Sequence, residues 1–148
     1  MPVVRNPQFY FNEGFCWTNV LMPTNEESKY IKCRLKGKSV NDVASMSLYN
    51  KYSKTSNLYF VALLNSKFMY NYLKEFINNT VNLQINDFRQ LPIIIPSDEQ
   101  IEQLNSITNK AITIKRSIYS SGSSEIKNKE LSDLQQELDE CVAKLYNI

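Results

Sequence analysis

The run 78–104, NNTVNLQINDFRQLPIIIPSDEQIEQL, constrains the fold more than any other stretch. Pro92 and Pro96 bracket Ile93, Ile94 and Ile95. Proline has no amide hydrogen and pushes the residue before it out of the helical region, so this triplet is predicted to be extended. Immediately afterwards, Ser97 and Gln100 stand at the spacing of a capping box, in which each side chain satisfies the other's backbone amide. A helix should therefore begin at Asp98. Upstream, Val81, Leu83 and Ile85 alternate with Asn82 and Gln84, the pattern of a half-buried strand. Asn86 and Asp87 read as a turn or cap pair. The run thus predicts strand, helical turn, short strand and long helix.

The flanking sequence extends this order in both directions. Ile101, Leu104, Ile107, Ala111, Ile114 and Ile118 recur at helical spacing, which carries the helix over 97–120. Ser120, Ser121, Gly122, Ser123 and Ser124 form a linker. A second helix is expected over 124–146, with Leu131, Leu134, Leu138, Cys141 and Leu145 at heptad-like spacing. So short a connection favours an antiparallel pair. Before the central run, Leu58, Val61, Leu64, Phe68, Tyr72 and Phe76 predict helix over 57–77, with a break where Asn65 and Ser66 can cap a second piece. The β-branched and aromatic content of 15–21 and the alternation in 30–35 predict two strands, and 43–48 a third extended segment. The fold class that follows is mixed α/β: a small mixed or antiparallel sheet with flanking helices, then a C-terminal antiparallel pair of long helices. Residues 1–96 form one region, and the helices of 97–148 pack on it or dock a partner.

Composition removes most catalytic chemistries. There is no histidine among the 148 residues, which excludes a Ser-His-Asp triad, a Cys-His pair and histidine metal ligands. Gly14, Gly37 and Gly122 are isolated, so no glycine-rich phosphate loop exists. The adjacent carboxylates Asp98-Glu99 and Asp139-Glu140 fall in helical runs, where neighbours point to different faces. No catalytic residue, metal site or cofactor is expected. Cys16, Cys33 and Cys141 are odd in number and widely separated, as expected of reduced thiols in a cytoplasm. No leader pattern opens the chain, and no apolar run approaches spanning length.

Charge is unevenly distributed. Over 29–74 there are nine basic residues (Lys29, Lys32, Arg34, Lys36, Lys38, Lys51, Lys54, Lys67 and Lys74) and one acid, Asp42. The net charge of +2 hides a basic half. Serine, threonine, asparagine and tyrosine are interleaved with these charges. Lysine and arginine neutralise phosphates, and the polar side chains reach phosphates or base edges. The bland alternative is a soluble surface that happens to be basic.

Several pieces together carry a family resemblance. They are Leu63-Leu64-Asn65-Ser66-Lys67-Phe68, Asn79-Thr80-Val81-Asn82-Leu83-Gln84, Leu91-Pro92-Ile93 with Pro96, and Glu99-Gln100-Ile101. In this order they resemble the C-terminal target recognition domain of type II and IIG restriction-modification enzymes and adenine-specific DNA methyltransferases. Phage-defence methyltransferases of the BREX type and type I specificity subunits are looser relatives. The opening 11–18, FNEGFCWT, is similar to the family's first strand, and 138–146, LDECVAKLY, to its closing helix. The family's glycine-rich cofactor motif is missing. Asn6-Pro7-Gln8-Phe9 only echoes its Asn-Pro-Pro-Tyr-type motif, and there is no Asp…Glu-x-Lys nuclease core.

The resemblance is therefore to the specificity module alone, with no catalysis of its own. It implies duplex DNA as one partner and a methyltransferase or nuclease domain or subunit as another. Lys32, Arg34, Lys36, Lys38, Lys51 and Lys54 are the expected phosphate contacts. Trp17, Asn19, Ser39, Asn41, Tyr52 and Thr55 are the expected base readers in the major groove. The alternative is a protein-interaction module that works through its C-terminal helical pair.

Overall fold

The structure, a computed structural model, describes residues 6–41 and 44–148. Its sheet has three antiparallel strands, β1 (Gly14–Thr18), β2 (Arg34–Lys36) and β3 (Ser45–Leu48), with β1 in the centre. Among the described residues five α-helices follow: α1 (Asn57–Leu64), α2 (Lys67–Tyr72), which runs on into a π turn at Leu73–Ile77, α3 (Ile85–Phe88), α4 (Asp98–Ser121) and α5 (Glu125–Leu145). The expected mixed α/β class, antiparallel sheet and closing helical pair are all present.

Alternation along the strands gives the sheet two unlike faces. Phe15 and Trp17 of β1 point to the helices, where Phe15 stacks on Phe60 of α1 and Trp17 on Phe88 of α3. On the opposite face, Gly14, Cys16 and Thr18 alternate with them, beside Arg34 and Lys36 of β2 and Ser45 and Ser47 of β3. Gly14 is required there by crowding. A Cβ at this position would come within 2.5 Å of the Leu48 carbonyl oxygen and 2.9 Å of the Tyr49 ring.

The strands are shorter than expected, for local reasons. β2 starts only at Arg34 because Lys32 takes a left-handed conformation, φ 60°, which breaks the extended run from Tyr30. The third segment forms a strand from Ser45 onward, and Val43 lies outside the described residues. Residues 81–85 are not a strand. They make a single bridge, Val20 to Asn82, with Leu21 N–H donating to Val81 O and Leu83 N–H to Asn19 O. The Asp87 carboxylate accepts the Gln84 N–H at 2.7 Å and turns the chain into α3. Residues 93–95 are extended but join no sheet. Instead the Tyr59 hydroxyl donates to the Ile94 carbonyl at 2.6 Å, and the Tyr146 hydroxyl donates to that of Pro92.

The helical boundaries follow the sequence closely. Ser97 and Gln100 form the reciprocal capping box at the start of α4. The break between α1 and α2 falls at Asn65 and Ser66, and Ser66 caps α2. Asn65 does more. Its amide donates to the Cys33 carbonyl and its side-chain oxygen accepts the Cys33 N–H, so it pairs with the chain entering β2 as a neighbouring strand would.

One core unites the sheet with the helical pair. Leu104 and Ile107 of α4 and Leu138, Val142 and Leu145 of α5 belong to the same buried cluster as Trp17, Leu83 and Phe88. Val142 takes the fully buried position, while Cys141, expected on the stripe, is half-buried. Asp139 pins α5 to the rest. Its carboxylate accepts the Lys67 N–H at 2.7 Å and the Tyr30 hydroxyl at 3.0 Å. Burial and this carboxylate push the Tyr30 hydroxyl up to about 12. Asp139 is thus structural. All three cysteines are free, and burial pushes the thiols of Cys16 and Cys33 up from their ordinary range.

Candidate nucleic-acid interface

Strand register decides which loops share an end of the sheet. Gly14 pairs with Lys36, and Phe15 with Leu48. The segment before β1, the loop after β2 and the loop after β3 therefore leave from one end. Lys38, Ser39 and Asn41 lie on the second of these segments, and Lys51, Tyr52, Lys54 and Thr55 on the third.

Lys36 holds these loops together and is not a phosphate contact. It is 5% exposed, and its ammonium donates to Asn12 O at 2.7 Å, Ser39 O at 2.6 Å and Gly37 O at 3.2 Å. The Tyr49 ring lies 5.5 Å from the same nitrogen. A buried charge is tolerated when its hydrogen-bonding capacity is filled, and three carbonyl dipoles and an aromatic face do so here. Tyr49 stacks in turn on Phe9, whose ring lies 5.8 Å from the Lys51 ammonium. Lysine, aromatic pair and lysine thus tie all three segments into one layer. Lys36→Met keeps the stem and removes the donors. It should cost about 1–3 kcal/mol, the range for leaving buried partners unsatisfied. Amides in 8–13 and 37–41 should exchange faster. A change within about 0.5 kcal/mol with unaltered exchange would remove Lys36 from this role.

The other expected phosphate contacts remain open to solvent. Lys32, Arg34, Lys38, Lys51 and Lys54 are exposed. Arg34 lies on the polar sheet face and donates to the Ser45 hydroxyl at 3.2 Å. Lys32 precedes β2 and so sits toward the other end of the sheet.

The expected base readers divide. Trp17 is 0% exposed and stacks on Phe88 at 3.7 Å between ring centres, so it cannot reach a base. Its aromatic ring is spent on the core. Asn19 is half-buried at the far end of β1, and its backbone bonds to Ala44 and Leu83. The Asn41 amide donates to Ser45 O and to the Ser47 hydroxyl, which uses both its hydrogens. Thr55 is half-buried, and its hydroxyl lies against Asn50 Oδ1 and Tyr52 O. Asn41 and Thr55 shape the loops. Ser39 and Tyr52 stay exposed, Tyr52 at 44%.

Asn50, one of the polar residues interleaved with the basic ones but not among the expected base readers, is the hub of the second loop. Its amide donates to Thr55 O at 2.6 Å and Tyr52 O at 3.2 Å, and its oxygen accepts the Tyr52 N–H at 2.9 Å. The available signal was an asparagine two residues before a polar turn, the spacing of an Asx-turn.

Among the described residues no cluster of His, Cys, Asp and Glu could hold a metal ion, and no helix is long and apolar enough to cross a membrane. No family model matches the chain, and neither a curated protein nor a solved structure is found to be similar to it.

Proposed function

We propose that this chain is a sequence-specific DNA-binding domain, the target recognition module of a restriction-modification system. It would direct an adenine-specific DNA methyltransferase or restriction endonuclease, supplied by a partner domain or subunit, to its site. The observation that carries the reading is the loop end of the sheet. Exposed Lys38, Lys51 and Lys54 neighbour polar Ser39 and Tyr52 in sequence, on two loops that leave the same end of the sheet and that Lys36 and Asn50 fix from within. Preorganised loops cost less ordering on binding, and exposed cations beside hydrogen-bonding side chains suit phosphates beside base edges. Arg34 and Lys32 extend the positive surface along the sheet. The order of motifs that resembles the specificity module supports the same reading. Catalysis belongs to the partner. The reading places the protein in a cytoplasm, where three free thiols stay reduced.

Selection of bound duplexes from a random-sequence pool tests it. Retained molecules should share a short motif, and each wrong base pair should weaken binding by roughly 1–3 kcal/mol. Ser39→Ala and Tyr52→Ala should relax preference at one position each. Retention without any shared motif would leave a general DNA binder and defeat target recognition.

A further inference from the structure

The outer half of the helical hairpin is unfinished as a packing unit. Buried residues of α4 stop at Thr108, and those of α5 begin at Leu138. Between them, in 109–137, Ile112, Ile114, Ile118, Leu131 and Leu134 are only half-buried, while Tyr119 is 94% and Ile126 72% exposed. Two helices share a single seam, and helical stability in proteins comes mostly from covered apolar faces. One side of this arm is a groove of about 700 Å³. Ile114 and Leu134 lie in it, Lys110 stands on the α4 side, and Glu130, Asp133 and Glu137 stand on the α5 side.

We propose that this groove is a self-association surface, and that its occupant is the same groove of a second copy of the chain. The argument is charge complementarity. Residues 103–124 carry Lys110, Lys115 and Arg116 and no acid, whereas 125–140 carry six acids against Lys127 and Lys129. Among the described residues the only ion pair within 4.0 Å is Lys29–Glu26, so the charges of the groove make no such pair inside the monomer. A groove with one positive and one negative wall complements itself under only one kind of two-fold axis. An axis parallel to the helices sets Lys110 of each copy against Asp133 and Glu137 of the other, at the same height along the bundle. An axis across the helices sets like walls face to face. The first gives a four-helix bundle with an isologous interface, its apolar floor formed by Ile114 and Leu134 from both copies. Burial of that floor supplies attraction, and the charged walls select orientation and partner. None of this depends on the DNA reading.

Sedimentation of the full chain over a range of concentrations provides the test, with circular dichroism to confirm folding. The parent protein should show a monomer–dimer equilibrium. Lys110→Glu should weaken it roughly tenfold or more, because like charges then face each other. The double change Asp133→Lys with Glu137→Lys should do the same. Mixing the two variants should restore dimer, since only the heterodimer brings opposite walls together. Lys110→Ala, with no new repulsion, should weaken association by less and serves if charge reversal disturbs folding. A parent that stays monomeric up to its solubility limit overturns the proposal. So does a dimer indifferent to every variant, or a mixture no better associated than its components.

Discussion

Replacing Trp17 by Ala is expected to cost about 3–5 kcal/mol, the range for deleting a large buried aromatic side chain. A domain of ordinary size has a total stability of about 5–15 kcal/mol, so this loss is a large share of the total and the unfolding midpoint should fall steeply. Trp17 is the only tryptophan, and it is fully buried at the centre of the sheet. Its ring stacks on Phe88 of α3, and its indole N–H points to the Leu83 carbonyl at 3.5 Å. One side chain therefore joins β1 to the run that carries α3. Truncation removes the stack with Phe88 and opens a cavity beside the Phe15–Phe60 pair. Trp17→Phe should retain most of the stability. Urea unfolding followed by circular dichroism measures both, and parent fluorescence should report a buried indole. A loss within about 0.5 kcal/mol for Trp17→Ala would contradict this placement and return Trp17 to the candidate base readers.

Trp17 also illustrates what the sequence concealed. An aromatic followed by Thr18 and Asn19 has the same letters whether it faces a core or a base, and Phe88, 71 positions away, decides which. Lys36 and Lys38 present the same ambiguity. Both are lysines beside Gly37, yet the Asn12 carbonyl, 24 residues upstream, draws one ammonium inside and leaves the other in solvent. Helix caps were legible where their partners lie within one turn, although the equally local Asn50 and Asp87 contacts were not. The Ser97–Gln100 box and the Ser66 cap are fixed by spacing alone and stand where the sequence put them. Extended segments were legible as extended, but their partners were not. Pro92 and Pro96 correctly kept 93–95 out of a helix, and no pattern could announce that hydroxyls of Tyr59 and Tyr146 would serve that segment in place of a strand. On α5 the heptad reading chose Cys141, whereas the true 3.6-residue period from Leu138 brings Val142 inside.

The salt dependence of duplex binding should be the second large effect, and it follows from the cations left exposed. Lys36 is withdrawn, and Lys32, Arg34, Lys38, Lys51 and Lys54 remain. Each phosphate neutralised on duplex DNA releases condensed counterions, with a slope of about −0.9 in log affinity against log salt. If all five engage, the slope is about −4.5, and affinity falls roughly 500-fold between about 50 and 200 mM salt. Replacing Lys38 and Lys54 together by Ala should flatten the slope by about two units and weaken every sequence alike, because phosphate contacts carry no sequence information. A titration of the folded chain with duplex DNA at these two salt concentrations is the most direct measurement. Tight binding at the lower salt that collapses at the higher, with the flattened slope in the double variant, is the expected result. No binding to any duplex at about 50 mM, or an affinity indifferent to salt, would contradict DNA recognition by this face.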